Sequence, residues 1–330
     1  METPMTHFPR RALLGLLAAG SMVKPFTVWA VDYPSRAVRI IVPYSAGGSS
    51  DVVARFAAEL LRPRMDGQPV VVENRPSANA VTGMQHVARA EPDGYTLLLG
   101  GASTNAVNPH LYRRKPYDGI ADYTVLGLVG TGPLVVSVHP GLPIHSLQEL
   151  IAYARANPGK LAFGSSVGVT LHLAGELLKT LAGIDMLHVP YNSNTQALTD
   201  VVAGRLQVMF DPVSNSASFI ADGRLRPIVV PAPRRAAALP EVPTSAEAGL
   251  PAFEVLTWFG LFGPAGMPAE IVTTLNRRLN AGLMEQASVD QLARLGLNPA
   301  PTDPAGAAAY LKADSEKWAG VIRRIGLVVD

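Results

Sequence analysis

Short aliphatic runs alternate with longer stretches whose apolar residues recur at helical spacing, and the alternation persists through most of the 330 residues. Runs at 38–42, 70–73 and 96–99 read as strands, with helices at 52–61 and 83–90 between them. The rhythm resumes with strands at 125–129 and 134–138, a helix at 147–156, a strand at 160–163, a helix at 170–181 and a strand at 186–189. It continues through a helix at 196–202, a strand at 208–210, a helix at 216–221 and a strand at 225–230. A Pro/Ala-rich connection at 231–249 leads to a strand-like run at 253–259, and the C-terminal part is helical at 269–285, around 289–295 and at 304–325. No repeat of fixed period is present. Strands alternating with helices predict parallel sheets covered by helices on both faces, with a crossover near Gly130-Thr131-Gly132-Pro133.

In open α/β sheets, ligands bind beyond the carboxyl ends of the strands, where loops meet helix N-termini. Four loops at such places carry small polar residues: 45–50, 100–105, 164–170 and 190–195. Two fall in each half of the chain, so halves that face each other would bring all four to one cleft. The first loop is the richest, with Tyr44, Ser45, Ala46, Gly47, Gly48 and Ser49 followed by Ser50-Asp51 and a helix. Its glycines let the backbone approach a ligand, its serine hydroxyls donate, and the helix aims unpaired N–H groups and a positive dipole end back into the loop. No lysine or arginine lies in it. Two readings fit these residues: a cradle for reversible capture of a small carboxylate, and an ordinary glycine-rich strand-to-helix turn capped by serine.

The first thirty residues stand outside this rhythm. Arg10-Arg11 opens an apolar run at 12–23, and Val28-Trp29-Ala30 offers the small-residue pattern of a signal cut after Ala30, so the mature chain is expected to begin at Val31 in the periplasm. The paired arginines suit twin-arginine export and the short apolar run suits Sec export. The run falls short of the roughly 20 residues that span a bilayer. With Arg10, Arg11, Lys24 and Glu2 removed, the 28 basic and 26 acidic residues fall to 25 of each, so no nucleic-acid partner is expected. The absence of cysteine excludes disulfides, thiolate zinc sites and cysteine nucleophiles. A mature length of about 300 residues exceeds the usual single core and suggests two domains.

Gly164-Ser165-Ser166-Val167-Gly168 is a G-x-S-x-G between a strand and a helix, as a nucleophile elbow requires. Its partners are lacking, because the hydrolase order needs a histidine late in the chain and the seven histidines end at His188. Only Glu176 and Asp185 lie between Ser166 and that histidine. His172 and Glu176 share a helix face, but no third ligand follows and no metal is expected. No G-x-G-x-x-G follows a strand and no phosphate-binding P-loop occurs, so no cofactor is expected. Trp258-Phe259 could wall a cleft, with core packing as the alternative.

Motifs running from Tyr33 to the C-terminus resemble the Bug-type extracytoplasmic receptors of the tripartite tricarboxylate transporter family. They include the loop Pro43-Tyr44-Ser45-Ala46-Gly47-Gly48, Val71-Val72-Glu73-Asn74-Arg75-Pro76, Pro92-Asp93-Gly94-Tyr95, Asn108-Pro109-His110, His188-Val189-Pro190-Tyr191, Met209-Phe210-Asp211 and Trp258-Phe259-Gly260-Leu261. The resemblance implies an α/β, two-lobed periplasmic binding protein fold, type II-like, with two α/β domains around a central ligand cleft. The domains would be 31–130 with 255–330, and 131–254. A non-catalytic monomer binding a small carboxylate is implied: a di- or tricarboxylate, an aromatic acid or an amino acid. It would be delivered to a membrane permease, with signalling to a membrane sensor as the alternative. One ligand carboxylate would sit on 45–50, and the other end would be held around Ser103, Thr104, Asn105, Ser165, Ser166, Thr170 and Tyr191, with Asp211 at the cleft. Two departures bear on the ligand. Ser77-Ala78-Asn79-Ala80 replaces a glycine-rich run, and Asn192-Ser193 replaces a Lys-Gly. Both segments are expected to frame the far side of the site.

Overall fold

A computed structural model describes Met1 and residues 33–329. The expected export signal, with its cut after Ala30, lies outside the described residues apart from Met1. The chain opens with β1 (Val38–Val42), α1 (Ser49–Leu61), β2 (Val70–Asn74), α2 (Val81–Ala88) and β3 (Thr96–Gly101), the three strands lying parallel in the order β2-β1-β3. β4 (Tyr123–Val138) follows. Next come α3 (Leu147–Ala156), β5 (Ala162–Ser165), α4 (Thr170–Ala182), β6 (Leu187–Pro190), α5 (Asn194–Val202), β7 (Val208–Pro212), α6 (Val213–Ala221) and β8 (Arg226–Val229). Here β7, β5 and β6 form a second parallel set. β9 (Leu256–Pro264), α7 (Ala269–Leu283), α8 (Gln286–Arg294), β10 (Asn298–Pro299) and α9 (Pro304–Ile325) complete the fold. No helix among the described residues is long and apolar enough to cross a membrane.

The all-parallel expectation fails at the centre. β9 runs antiparallel to both β3 and β4, and β4 runs antiparallel to β7, so two parallel sets are joined by two long antiparallel strands. The two strands expected at 125–129 and 134–138 are one 16-residue strand, with no crossover between them. Gly130, Thr131, Gly132 and Pro133 read as a loop by composition, yet they pair with Phe259, Trp258, Thr257 and Leu256 of β9. Their glycines serve packing, since a Cβ on Gly132 would lie 2.8 Å from Leu297. The first half of β4 pairs with β9 and β10, and its second half with β7 and β8. This shared strand makes the fold two-lobed.

The helices form where the sequence signals ask for them. On α1, Val53, Phe56, Ala57, Leu60 and Leu61 recur at helical spacing and all are buried. α9 starts on an Asp303 cap, whose carboxylate accepts from Gly306 N–H at 2.6 Å, carries Pro304 in its first turn, and stops at Gly326 in the left-handed region. The core is built on Trp258, Trp318, Phe163, Phe210, Phe253 and Phe262, all fully buried. Phe163 is the pivot of the β5–β7 side: it meets Phe210 edge to face at 5.3 Å and lies against His188 at 5.1 Å. Gly175 on α4 leaves room for its ring. Phe163→Ala should therefore cost about 3–5 kcal/mol, read as a lowered midpoint in urea unfolding followed by circular dichroism. A loss below about 1 kcal/mol would contradict this packing.

Candidate functional site

A cleft of about 930 Å³ opens where β1, β3 and β5 end and β9 passes between them. The β1–α1 loop supplies Tyr44, Ser45, Ala46, Gly48, Ser49 and Ser50 to its wall. Gly48, with extended backbone (φ −79°, ψ 169°), precedes the first turn of α1, and no side chain caps that turn. The expected serine cap is therefore absent, and the first N–H groups of α1 are left to whatever occupies the cleft. The loop is shaped from behind by Asp51. One carboxylate oxygen accepts from Gly47 N–H at 2.9 Å and Arg55 Nε at 3.0 Å, and the other from Asn74 Nδ2 at 3.0 Å. Asn74 Nδ2 also donates to the Tyr44 carbonyl at 3.1 Å. The Arg55 hydrogen bond, then those from Gly47 and Asn74, hold the Asp51 carboxyl down at about 2 although burial opposes them.

The second wall comes from a π turn, Ala102–Val107, at the end of β3. Thr104 Oγ1 accepts from Gly101 N–H at 3.0 Å and donates to Asn105 Oδ1 at 2.9 Å, while Asn105 Nδ2 donates to the Gly119 carbonyl at 3.1 Å. Tyr117 OH closes the turn on the Thr104 carbonyl at 2.7 Å. Asn105 is fully buried by this work, and Ser103 is left at the cleft, its Oγ 3.5 Å from Thr170 Oγ1. Thr170 opens α4, a second helix that starts at the cleft with no side-chain cap. Behind it, the His172 and His188 rings stack at 3.8 Å, and His172 Nδ1 accepts from Gly168 N–H at 3.1 Å. Burial lowers both histidines, His172 to about 3, so neutral rings support the 164–170 loop.

Of the residues singled out in the sequence, Tyr44, Ser45, Ala46, Gly48, Ser49, Ser103, Thr104, Ser166 and Thr170 are brought together on the cleft wall. Five others have different neighbours. Gly47 donates to Asp51, Asn105 braces the π turn, Tyr191 OH donates to Asp200 at 2.7 Å, and Ser165 Oγ lies 2.8 Å from His188 Nε2. Asp211 accepts from Ser216 Oγ at 3.0 Å and Asn215 Nδ2 at 3.4 Å, and with 1% exposure burial pushes its carboxyl up to about 7. The only triad weighed from the sequence is built on Ser166, for which no late histidine follows, and the Ser165–His188 pair is not part of it. β5 and β6 are adjacent parallel strands, which lets residues 23 apart meet. Ser165 is 1% exposed, and Ser166, the central serine of the motif, has no hydrogen bond to a histidine among the described residues.

Beyond the residues assigned to the ligand, the cleft takes others from the 164–170 and 190–195 loops and from outside the four loops. Leu99, Val169, Leu171 and Phe259 give it apolar surface, and Asn192, Ser193 and Asn194 line it together. Two signals had pointed at them: the unusual Asn192-Ser193 and the Trp258-Phe259 pair. Ser77 and Asn79, by contrast, are not on the wall. Ser77 Oγ accepts from Thr82 N–H at 2.8 Å at the start of α2, and Asn79 Nδ2 donates to Tyr112 OH at 2.7 Å. Among the described residues, none that lines the cleft is Asp, Glu, Lys, Arg or His.

Because the folded value of Asp51 is depressed, its stabilisation is fully present above the ordinary 3.8 and lost as pH falls toward about 2. The urea-unfolding gap between wild type and Asp51→Asn should stay level from neutral pH to about 4.5 and close below it; a gap unchanged to pH 2 would refute the bracing role.

The profile described as tripartite tricarboxylate transporter family receptor matches residues 53–327. The Bordetella pertussis protein BugT is 35% identical over 318 residues, covering 96% of this chain and 97% of that one. Among solved structures, R. palustris Rpa4515 with adipate is 34% identical at a TM-score of 0.75, covering 90% of this chain and 99% of the other. The periplasmic binding protein BugD is 32% identical at 0.71, with coverage of 90% and 99%. MatC from Rhodopseudomonas palustris with bound malate is 29% identical at 0.72, with coverage of 88% and 100%.

Proposed function

The chain belongs to the tripartite tricarboxylate transporter receptor family, a family of solute-binding receptors and not of enzymes, and we propose that its cleft takes a small organic carboxylate outside the cytoplasm. One observation carries this reading: the wall holds hydroxyls and two uncapped helix starts, with no charged side chain among the described residues. Such a wall favours an anion, because unpaired N–H groups and helix dipoles are the strongest electrostatic features in it. It lacks a carboxylate to partner an ammonium, since Asp211 is withdrawn among Asn215 and Ser216. Amino acids are therefore disfavoured within the implied ligand range. The neighbours with adipate and malate point the same way, to di-acids with a short apolar or hydroxylated spacer, and Leu99, Leu171 and Phe259 suit such a spacer.

Three or four charge-assisted hydrogen bonds at about 1.5–3 kcal/mol each, set against the cost of association, reach micromolar affinity near −8 kcal/mol. We propose further that 31–130 with 255–330 and 131–254 are lobes that close on the ligand, with Ser103 and Thr170 meeting across the mouth. The receptor acts as a monomer and hands its ligand to a membrane permease. Uptake of labelled ligand, lost on deletion of this gene and restored by it, separates delivery from signalling to a membrane sensor, for which uptake would persist.

A thermal-shift screen with succinate, malate, adipate, benzoate and glutamate tests the ligand class. The di-acids should raise the melting temperature, since ligand at 100 times its Kd adds about 2.7 kcal/mol. Stabilisation by none of the acids would overturn the carboxylate reading. Ser49→Pro tests the site. Proline is tolerated in the first helical turn and follows the extended Gly48 without strain, so the helix is kept while one N–H is removed. Against Ser49→Ala, which removes the hydroxyl alone, Ser49→Pro should weaken the best di-acid by a further factor of about 10 to 100 in isothermal titration, the worth of one charge-assisted bond. Equal affinity in the two variants would move the carboxylate off the α1 N-terminus.

A further inference from the structure

Trp258 lies where the cleft, β9 and the C-terminal helix meet. It is part of the cleft wall together with its neighbours Thr257 and Phe259. Across the strands it pairs with Thr131 of β4, and its carbonyl is so near Gly101 that a Cβ there would lie 2.6 Å away. The position of Trp258 thus fixes β9 against the end of β3, from which the Ser103 turn departs.

Its indole is only 1% exposed and is committed to α9. Nε1 donates to Asp314 Oδ2 at 2.8 Å, and the ring meets Tyr310 edge to face at 5.9 Å. A buried indole N–H needs an acceptor, and a buried carboxylate needs partners. Asp314, 6% exposed, has both: its other oxygen lies 2.6 Å from Lys317 Nζ on the next turn. Lys317 Nζ also donates to the Glu254 carbonyl at 3.2 Å, just ahead of β9. α9 therefore holds the start of β9 at two points, through Trp258 and through Glu254. Nothing in the ligand contacts proposed above uses Asp314.

Resting on the reading of this cleft as the ligand site, we propose that Asp314 is a positioning residue for ligand selection. By accepting the Trp258 N–H it sets the place of the Thr257–Phe259 wall, and so the width of the cleft, from the side remote from the ligand. Among the described residues, Asp314 is hydrogen-bonded to no lining group other than Trp258. Its effect on binding is carried entirely by where that indole sits.

Adipate is the probe. Isothermal titration is run on wild type, Asp314→Asn and Asp314→Leu, each labelled with 5-fluorotryptophan so that fluorine NMR reports Trp258, assigned through Trp258→Phe. Asn keeps an acceptor in place and Leu removes it at similar size. Asp314→Leu should shift or broaden the Trp258 resonance in ligand-free protein and raise the adipate Kd by about tenfold or more, whereas Asp314→Asn stays within about threefold of wild type with its resonance in place. The proposal is overturned if Asp314→Leu leaves resonance and Kd as in wild type, or if both variants weaken adipate equally while Trp258 stays put. Should Asp314→Leu not fold, Lys317→Met removes the ion pair that anchors Asp314 and is read by the same two measurements: a moved Trp258 with weaker adipate supports the proposal, and an unmoved Trp258 opposes it. Wild type that binds no adipate would count against the carboxylate reading, and the ligand-free resonance would still decide whether Asp314 places Trp258.

Discussion

The antiparallel pairing of β4 with β9 is the constraint on which the rest of the molecule depends. Each parallel set, β2-β1-β3 and β7-β5-β6, has helices to cover it and could be laid down by short-range rules alone. Neither set makes a cleft by itself. β4 belongs to both, pairing with β9 and β10 along its first half and with β7 and β8 along its second, while β9 ties the end of β3 to the same strand. The 45–50 and 100–105 loops then face the 164–170 and 190–195 loops because one pair of strands passes from one set to the other. Register shifts at Gly127 and Gly130 bend β4 within this passage.

Two helix N-termini bring positive dipole ends to the cleft, and among the described residues no charged side chain lines it. α1 and α4 both begin at the wall, and neither spends its first N–H groups on a side-chain cap. The charges that shape the site stand behind it. Asp51, paired with Arg55 and bonded to Gly47 and Asn74, holds the loop from the protein side, and the stacked His172 and His188 support the opposite loop as neutral rings. A wall built in this way would hold the proposed anion through fixed dipoles and exchangeable hydroxyls, as suits a receptor that must also let its ligand go. A buried arginine fork would hold a carboxylate more tightly and release it more slowly.

Much of this was legible in the sequence. The helix at 304–325 is marked by Asp303-Pro304 and Gly326, and the loop after β1 by its glycines and serines between a strand and a helix. The centre was not. Gly130 to Pro133 carries turn residues inside a strand because close approach of Leu297, and not a reversal of the chain, requires glycine there. Such packing is a property of distant residues and leaves no local mark. The same limit hid the division of labour in Ser103-Thr104-Asn105, where three adjacent polar residues look alike in sequence. Only the fold shows Asn105 buried behind the turn, Thr104 both bracing it and reaching the wall, and Ser103 left at the cleft. The Ser165–His188 pair is a further case: nothing local marks it, and the adjacency of the parallel strands β5 and β6 supplies it.

Asp211 shows how the fold can turn the meaning of a residue around. As an acid beside a cleft it would repel a carboxylate and attract an ammonium. Buried on β7 next to Val135 of β4, it accepts from Ser216 and Asn215 and is pushed up to about 7, so near neutral pH much of its charge is absent. Ionising it would require a charge to sit away from water with two neutral donors as its partners, which burial penalises. Its neighbour Pro212, with no N–H to offer, is what reaches the wall. An acid that stays behind a proline leaves the potential of the cleft to the α1 and α4 N-termini. The proposed preference for an anion without an ammonium thus rests as much on this withdrawal as on the donors at the cleft wall.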